Sequence, residues 1–259
     1  MDLGISGLKA IVCASSKGLG RGCAVALAEA GCELVVNGRG GDALEKTAEE
    51  IRDRFGVRVT AVAADVSTPE GQRALLAACP SPDILVNNNG GPPRRNFRAL
   101  DREAMLAGLV QNMVTPIELI GAVVDGMAER GFGRIVNITS GSVVAAIEGL
   151  DLSSGARAGL TAFLSGVCRE VAGKGVTINN ILPGKMDTDR FGSGIRARMA
   201  KTGKTAEALV AEAVAPIPVH RLGTAEEFGQ TCAFLCSRHA GYITGRNILV
   251  DGGLFPGNF

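Results

Sequence analysis

The chain reads KAIVCASSKGLGRGCAVALAEAG over residues 9–31. This is an apolar strand candidate, a turn containing glycine and a helix rich in alanine. Glycine leaves the backbone of the turn open to close approach, and the helix behind it presents unpaired N–H groups at its positive end. Phosphate binds well at such a place, although a lone GxG also occurs in ordinary tight turns. The stretch predicts a phosphate-binding turn formed by Ser15, Ser16, Lys17, Gly18, Leu19 and Gly20.

Six further strand candidates follow the first, and helical stretches separate them. Alternation of this kind is typical of βαβ units, whose parallel strands are buried on both faces. We therefore expect an α/β fold: a Rossmann doubly wound parallel sheet of about seven strands with helices on both faces, in one domain spanning residues 1–259. The predicted strands are Leu8–Cys13, Glu33–Asn37, Arg58–Ala63, Ile84–Asn87, Arg134–Thr139, Thr177–Leu182 and Asn247–Val250.

The composition narrows the class of partner. Lysine and arginine number 27 against 26 acidic residues, so net charge does not favour nucleic acid or an anionic membrane. No run approaches about 20 consecutive apolar residues, and no signal peptide is evident. We expect a cytoplasmic protein with a small-molecule partner.

Seven cysteines without a CxxC pair predict buried thiols. Two histidines exclude a histidine-rich metal site, so no metal is assigned.

Residues 187–216 are rich in charge, glycine and alanine and lie between two strand candidates. An insertion after a parallel strand falls where open α/β sheets bind their ligands. We interpret the segment as a helical lid over a substrate pocket. The alternative is a helical excursion with a purely structural role.

Several further motifs follow the glycine turn in a fixed order, and together they resemble the classical short-chain dehydrogenase/reductase family from end to end. The β-ketoacyl carrier-protein reductase-like members are the most similar. The family's TGxxxGxG has its counterpart in residues 13–20, with the first two positions changed. The other matching residues are Asp65 with Val66, the NNAG-like Asn87-Asn88-Asn89-Gly90, Asn112, Pro183-Gly184 with Thr188, residues 242–245 and residues 251–253.

The resemblance implies roles for these residues. Asp65 would contact adenine. Val66, Asn88, Asn89 and Gly90 would line the cofactor, and Pro183, Gly184 and Thr188 would hold the nicotinamide carboxamide. Gly38 stands where relatives that use NAD carry an acid. Arg39 and Lys17 can instead pair with a 2′-phosphate, which predicts NADP(H), with NAD(H) less favoured. The alternative for both cations is an ordinary solvated surface position.

The family's catalytic tyrosine and lysine have no counterpart at the aligned positions. Ser140 follows a strand in the place of the family's serine, but thirteen residues later the YxxxK motif reads Ser153-Ser154-Gly155-Ala156-Arg157. The only tyrosine is Tyr242. Serine is a much weaker acid than a phenol, and arginine keeps its proton at neutral pH. Arg157 can still bind ribose hydroxyls, orient an anionic substrate or stabilise an oxyanion, while water, relayed by Ser140, Ser153 or Lys185, delivers the proton.

Each of these residues has a structural alternative. Ser140 can cap a turn at the strand end, and Ser153 can be the N-cap of a helix predicted from Gly155 to Val171. Asn112, the family's active-site helix asparagine, can bond only to backbone groups of its own helix. Lys185 can face solvent. Two arginines, Arg94 and Arg95, could meet a carboxylate or phosphate, although a solvated basic loop is more common.

Three functions remain open. The first is an NADP(H)-dependent oxidoreductase of the short-chain type that acts on a carbonyl or alcohol without a tyrosine proton donor. The second is a catalytically silent NADP-binding sensor or partner subunit, and the third is a non-redox enzyme on the same fold. The helices around Ala107–Arg130 and Ser154–Ala172 resemble those through which family members associate, so we expect a homotetramer.

Overall fold

A computed structural model describes residues 1–257 and contains a seven-stranded parallel sheet. The strand order is β3-β2-β1-β4-β5-β6-β7, which is the doubly wound order. The fold prediction is confirmed, and each predicted strand is present with ends that differ by at most one residue. The strands are β1 Lys9–Val12, β2 Glu33–Gly38, β3 Val59–Ala63, β4 Ile84–Asn87, β5 Gly133–Ile138, β6 Val176–Pro183 and β7 Asn247–Val250.

Helices cover both faces of the sheet. They are α1 Gly18–Glu29, α2 Gly41–Phe55, α3 Pro69–Ala78, α4 Arg102–Leu109, α5 Thr115–Glu129, α6 Asp151–Ala172, α7 Asp189–Thr202, α8 Ala206–Val214 and α9 Ala225–Cys236.

Side chains alternate between two hydrophobic cores along the central strand. Ala10 and Val12 belong to the core that α1, α2 and α9 cover, whereas Ile11 and Cys13 belong to the core under α3, α5 and α6. This alternation follows from the two-residue period of a strand. In α2, Leu44, Ala48 and Ile51 lie on one helical face and are buried.

Helices α1 and α9 approach each other closely because their contact is made by glycine. A Cβ atom on Gly22 would lie 2.1 Å from the carbonyl oxygen of Ala225, and one on Gly229 would lie 2.2 Å from that of Gly22. Cys23 and Cys232 are buried on the same two helices. All seven cysteines are buried and free, as predicted, and burial raises the pKa of the Cys13 thiol to about 12.

Helices α4 and α5 join through a π-helical turn, Val110–Val114, into one helix of 28 residues. By length and composition this helix could cross a membrane, with a mean hydropathy of 1.4 over its most apolar window. The core helix of a soluble protein passes the same test, and 44% of that window is buried here. Leu119, Val123 and Met127 pack into the core, so the apolar character of α5 is accounted for by burial against the sheet.

The structure corrects the predicted start of one helix and adds detail to the segment interpreted as a lid. Helix α6 begins at Asp151 rather than Gly155, with Leu150 as its N-cap residue. The suggestion that Ser153 is an N-cap is therefore wrong, because Ser153 lies inside the helix. Within 187–216, the chain forms two helices, α7 and α8, each capped by a threonine, Thr188 and Thr205.

Candidate functional site

The turn between β1 and α1 is held from below by buried polar contacts. Ser15 is fully buried; its N–H donates to the carbonyl of Asn37 at 2.7 Å and its hydroxyl to that of Val12 at 2.8 Å. These contacts use the polar groups of Ser15 inside the protein. Ser15 therefore supports the turn, and the open surface above it belongs to the residues that follow.

Glycine is needed in this turn for two different reasons. Gly18 has a φ of +59°, and a Cβ there would meet nothing closer than 3.8 Å, so the surface above it is open. At Gly20 a Cβ would lie 2.2 Å from the carbonyl oxygen of Ala14.

The start of α1 is open to an anion. Lys17 is the N-cap residue of this helix, and its side chain makes no capping hydrogen bond to the first N–H groups. An anion can approach these groups directly.

At the end of β2, Gly38 carries no side chain and Arg39 is exposed. Lys17, the second cation expected near the cofactor phosphate, has its Nζ atom 3.3 Å from Oδ2 of Asp189. Both side chains of this ion pair are largely exposed. The glycine turn is thereby linked to the first residue of α7.

Asp65 and Val66 follow β3 at the same edge of the sheet. Oδ1 of Asp65 accepts hydrogen bonds from the hydroxyl of Ser67 at 2.6 Å and from its N–H at 2.9 Å. These bonds hold the pKa of the Asp65 carboxyl below its usual range. Val66 is buried in the core beneath α3. The carboxylate thus stays ionised and fixed in orientation, with Oδ2 left to accept a further bond.

The segment after β4 packs against the glycine turn. Nδ2 of Asn88 donates to the carbonyl of Ala14 at 3.2 Å, and Nδ2 of Asn89 donates to that of Gln111 at 3.2 Å. A Cβ on Gly90 would contact nothing within 4 Å. This segment therefore joins the first turn to α4 and α5 while leaving open backbone above Gly90.

After β6 the chain passes close to the residue that follows β7, because a Cβ on Gly184 would lie 2.6 Å from Asp251. Pro183 ends the strand, and Thr188 caps α7. Lys185 donates to the carbonyl of Ala213 at 2.7 Å. The ammonium group of Lys185 is therefore bonded to the last turn of α8 and does not extend freely into solvent. This bond also means that Lys185 is not an unbonded group that could relay a proton.

Arg157 lies inside α6 and is only 8% exposed. Its Nη1 donates to the carbonyl of Ile138 at 2.6 Å and its Nε to Oγ of Ser153 at 3.3 Å. Burial lowers the pKa of Arg157 to about 10, and the positive charge of Arg190 adds to that effect. At neutral pH the guanidinium group therefore remains cationic. Ser153 and Arg157, predicted together from the sequence, are in direct contact.

A small cavity of about 20 Å³ lies beside Arg157, between α5, α6 and the sheet. Asn112, in the π-helical turn, lines it. Nδ2 of Asn112 donates to the carbonyl of Gly108 at 3.2 Å. This is a bond to the backbone of its own helix, as predicted by the alternative in which Asn112 has a structural role. In residues 1–257, however, its Oδ1 has no hydrogen-bond partner, and neither has Oδ1 of Asn87 nor Oγ1 of Thr115, which line the same cavity. The cavity therefore combines a buried cation with unbonded acceptor atoms.

Ser140 is half-buried at the end of β5 and caps a short 3₁₀ turn, where its Oγ accepts from the N–H of Ser142 at 3.1 Å. Its hydroxyl proton remains free to donate. Ser140 stands two residues beyond Ile138, whose carbonyl binds Arg157, but neither Ser140 nor Ser153 lines the cavity. The predicted residues thus form one neighbourhood, with Asn112 and Arg157 at the cavity.

Sequence reasoning missed several contributors to this neighbourhood. Thr115 and Gln111 line the cavity, and Arg190 on α7 donates to the carbonyls of Gly91 and Pro92, each at 3.3 Å. The spacing of Arg190, two residues after Thr188, was the available signal. Asn137 also lines the cavity and belongs to a hydrogen-bonded chain of side-chain amides across four strands: Asn87, Asn137, Asn180 and Asn247.

The residues present fit a dinucleotide. Above Gly18 and Gly90 the backbone is open, and the helix start behind Lys17 offers unbonded N–H groups, so a pyrophosphate has both room and donors. Gly38 places no carboxylate beside the exposed Arg39, so nothing at this position repels a phosphate on the ribose. These features occupy the carboxyl edge of the sheet, where the strand order reverses between β1 and β4.

Comparisons with known proteins agree with this geometry. A family model described as enoyl-(acyl carrier protein) reductase matches residues 13–255. The 3-oxoacyl-(acyl-carrier-protein) reductase FabG of Vibrio cholerae is 33% identical over 260 residues, which cover 98% of this chain and 99% of the relative. Acetoacetyl-CoA reductase of Cupriavidus necator is 38% identical over 175 residues, which cover 68% of this chain and 67% of the relative.

Solved structures are similar over nearly the whole chain. L-sorbose reductase from Gluconobacter frateurii, complexed with NADPH and L-sorbose, has a TM-score of 0.94 and 29% identity, and the match covers 99% of this chain and 100% of that one. Actinorhodin polyketide ketoreductase with NADPH has a TM-score of 0.90 and 28% identity, with 98% of each chain covered.

Proposed function

This chain belongs to the short-chain dehydrogenase/reductase family, and from that premise we propose that it is an NADP(H)-dependent oxidoreductase that interconverts a carbonyl and an alcohol without a tyrosine proton donor. The observation that carries the proposal is the contrast between the two halves of the site. The phosphate-binding turn has the open glycines and free N–H groups that a dinucleotide needs. Beside the cavity, a buried arginine bonded to a serine stands at the positions that we align with lysine and tyrosine.

NADP(H) is the cofactor that the site and the relatives favour. Structural neighbours hold NADPH, and in this chain Gly38 lacks the carboxylate that would repel a 2′-phosphate. Arg39 and Lys17 would bind that phosphate, with Lys17 exchanging its exposed contact to Asp189 for it. Asp65 would accept a bond from adenine, while Thr188 and the backbone around Gly184 would hold the carboxamide.

Bound NADPH supplies a hydride to the carbonyl carbon, and the carbonyl oxygen then needs one proton to become an alcohol. The free hydroxyl proton of Ser140 would bond to that oxygen and hold it in place. Arg157, cationic at neutral pH, would stabilise the negative charge that develops on the oxygen or would bind the ribose hydroxyls. Neither residue can release a proton as readily as a phenol.

We propose that water delivers the proton. Ser153 is held by Nε of Arg157 and can pass a proton through its hydroxyl, whereas Lys185 is engaged by Ala213 and is the weaker candidate. Asn112 would fix the π-helical turn beside the cavity and present Oδ1 to it. Water at this place can bond to both the cation and the acceptor atoms.

The first test is NADPH oxidation by the purified protein over a panel of ketones, aldehydes, 3-oxo esters and thioesters, together with NADP⁺ reduction over the matching alcohols. Turnover with NADPH, and at most slow turnover with NADH, is expected. Binding of NADP(H) without any turnover would instead favour the catalytically silent sensor or partner subunit. That alternative is supported by the hydrogen bonds of Arg157, because they are made to groups within the protein itself.

We also propose that residues 1–259 form a single Rossmann domain in which α7 and α8, within 187–216, act as a lid. One continuous sheet from β1 to β7 supports the first point. Contacts of α7 with the glycine turn through Asp189, and with the segment after β4 through Arg190, support the second.

We propose a cytoplasmic location. Buried thiols in all seven positions are what a reducing, cytoplasmic compartment favours.

A homotetramer is the oligomeric state that we propose. Apolar side chains of the helix formed by α4 and α5 and of α6 are exposed: Met105, Leu106, Val110, Val114 and Phe163. An exposed apolar surface of this kind marks an interaction site, and a second copy would cover it with the same helices. Sedimentation velocity should give a mass of four chains, and a monomer would contradict the proposal.

A further inference from the structure

Four cations lie where α7, part of the proposed lid, meets the region around Ser140, Ser153 and Arg157. Arg190 on α7 contacts the segment after β4, Arg94 lies in that segment, Arg157 lies at the cavity, and Lys185 follows β6. Their charges influence one another. Burial lowers the pKa of Arg190, and the charge of Arg94 lowers it further, just as Arg190 does for Arg157. Partial burial lowers the pKa of Lys185, and the charges of Arg198 and Arg94 add to that effect.

None of the four cations forms an ion pair with a carboxylate of residues 1–257. Among residues 1–257, the structure has no carboxylate oxygen within 4.0 Å of the charged nitrogens of Arg94, Arg157, Arg190 or Lys185. The acid beside Arg190, Asp189, is bonded to Lys17 instead. Arg157 is more than nine-tenths buried, and its two partners, Ile138 and Ser153, are neutral.

Arg157 is the buried member of the cluster, whereas Arg94 and Arg190 are exposed. The buried cation has lost hydration, and like charges near it add repulsion, so a negative group bound by Arg94 and Arg190 also stabilises Arg157. Arg190 is suited to the exchange. Its bonds to Gly91 and Pro92 are long, at 3.3 Å, and go to neutral carbonyls. A carboxylate or phosphate would offer a shorter, charge-assisted and bidentate contact.

We infer that the substrate of this site carries a carboxylate or phosphate near its reacting carbonyl, and that Arg190 and Arg94 bind this anionic group while Arg157 faces the carbonyl. The inference rests on the proposed function, because it assigns a substrate class to the same site. It also gives α7 a role in the site, because Arg190 lies on that helix and contacts the segment that carries Arg94.

The position of the cluster separates it from the cofactor's extra phosphate. Arg39 and Lys17, which we assign to the 2′-phosphate, follow β2 and the first turn. Arg94 and Lys185 instead follow β4 and β6, on the other side of the strand-order reversal. Two groups of cations would therefore bind two different anions.

The test uses two matched pairs of compounds that differ in charge: acetoacetate with methyl acetoacetate, and dihydroxyacetone phosphate with dihydroxyacetone. Each is titrated calorimetrically into the protein loaded with NADP⁺ and into the protein without cofactor. We expect the anionic member of at least one pair to bind at least tenfold more tightly. The pair that responds also distinguishes a carboxylate from a phosphate.

Arg190→Gln should reduce that preference by about tenfold or more while leaving NADP⁺ affinity unchanged. Arg196→Gln is the matched control, because Arg196 lies on the same helix, carries the same charge and bonds only to Ser193 within the described residues. It should keep the preference. Equal or tighter binding of the neutral member in both pairs would overturn the inference, and so would a loss of NADP⁺ affinity in Arg190→Gln with the preference intact.

Turnover of the same compounds is measured separately, by NADPH absorbance. A protein that binds the anionic member selectively but oxidises no NADPH with any compound of the broad panel would contradict the proposed function and leave the anion site standing. Turnover that favours the neutral members would support the proposed function and contradict the anion site.

Discussion

Nε of Arg157 lies 3.3 Å from Oγ of Ser153, one helical turn apart in α6. The two residues that we align with the family's lysine and tyrosine therefore interact with each other. The same guanidinium group bonds to the carbonyl of Ile138 and so connects α6 to the end of β5. The neighbourhood is thus organised, although it lacks a readily ionised proton donor.

The first prediction is that the double variant Ser153→Tyr, Arg157→Lys will reduce carbonyl substrates much faster than the wild type. A positioned general acid contributes about 10²–10⁴-fold, and a phenol beside an ammonium group supplies one. The measurement is kcat for NADPH oxidation on the best substrate of the panel. Each single variant serves as a control, because neither restores the pair. A double variant no faster than the singles would mean that other positions also block tyrosine-dependent catalysis.

Gly20→Ala should abolish measurable NADP(H) binding. The new Cβ would lie 2.2 Å from the Ala14 carbonyl, so the turn must move away from the geometry that opens the helix N-terminus. Calorimetry checks the affinity, and circular dichroism checks that the fold survives. Gly173→Ala is the control, because a Cβ there meets nothing within 4 Å. Unchanged affinity in a folded Gly20→Ala protein would argue against this turn as the cofactor site.

Arg39→Gln should weaken NADPH binding by about tenfold or more and leave NADH binding nearly unchanged, since one charge-assisted contact contributes about 1.5–3 kcal/mol. Calorimetric titration with both cofactors gives the ratio. Asp189→Asn provides a second probe: it removes the competitor for Lys17 and should strengthen NADPH binding slightly. Equal losses for NADPH and NADH in Arg39→Gln would show that Arg39 does not contact the 2′-phosphate.

Sequence patterns predicted the sheet well for a physical reason. Buried parallel strands are short runs of aliphatic residues such as Ile84–Asn87, and the turns between them carry glycine or polar residues, so local composition records them directly. The start of α6 was missed because its N-cap is Leu150, which makes no side-chain capping bond. Arg190 was missed because its carbonyl partners, Gly91 and Pro92, lie 99 and 98 residues earlier in the chain. Contacts of that range depend on the assembled sheet.

The chain of asparagine amides across β4 to β7 gives a stability prediction. Asn137 accepts from Asn87 at 2.9 Å and donates to Asn180 at 3.0 Å. Asn137→Leu would leave Nδ2 of Asn87 with only its 3.5 Å bond to the carbonyl of Pro116, and would leave Oδ1 of Asn180 without the donor that Asn137 supplies. Each lost bond costs about 1–3 kcal/mol, so we expect a loss of about 2–6 kcal/mol in the free energy of unfolding. Urea denaturation measures it. Asn247→Ala, at the exposed end of the chain of amides, should cost less than about 1 kcal/mol; equal losses would refute a cumulative effect.

The start of α9 predicts a dependence of stability on pH. Glu227 accepts hydrogen bonds from Arg221 and from the N–H of Thr224, and these lower its pKa from 4.5 to about 2. Because the pKa is lower in the folded chain, the charge of Glu227 stabilises the fold above about pH 4.5, and this contribution disappears as the pH falls towards 2. The pair is exposed, so solvent screens it and its contribution is small.

Glu227→Gln keeps the shape of the side chain and removes its charge. Its urea midpoint should fall below that of the wild type at pH 7, and the difference should shrink steadily as the pH falls from 4.5 towards 2. Glu226→Gln is the matched control, because Glu226 belongs to none of the ion pairs among residues 1–257. A difference between Glu227→Gln and the wild type that persists unchanged at pH 2.5 would mean that the charge of Glu227 is not what secures this helix end, and that the threonine cap at Thr224 alone does so.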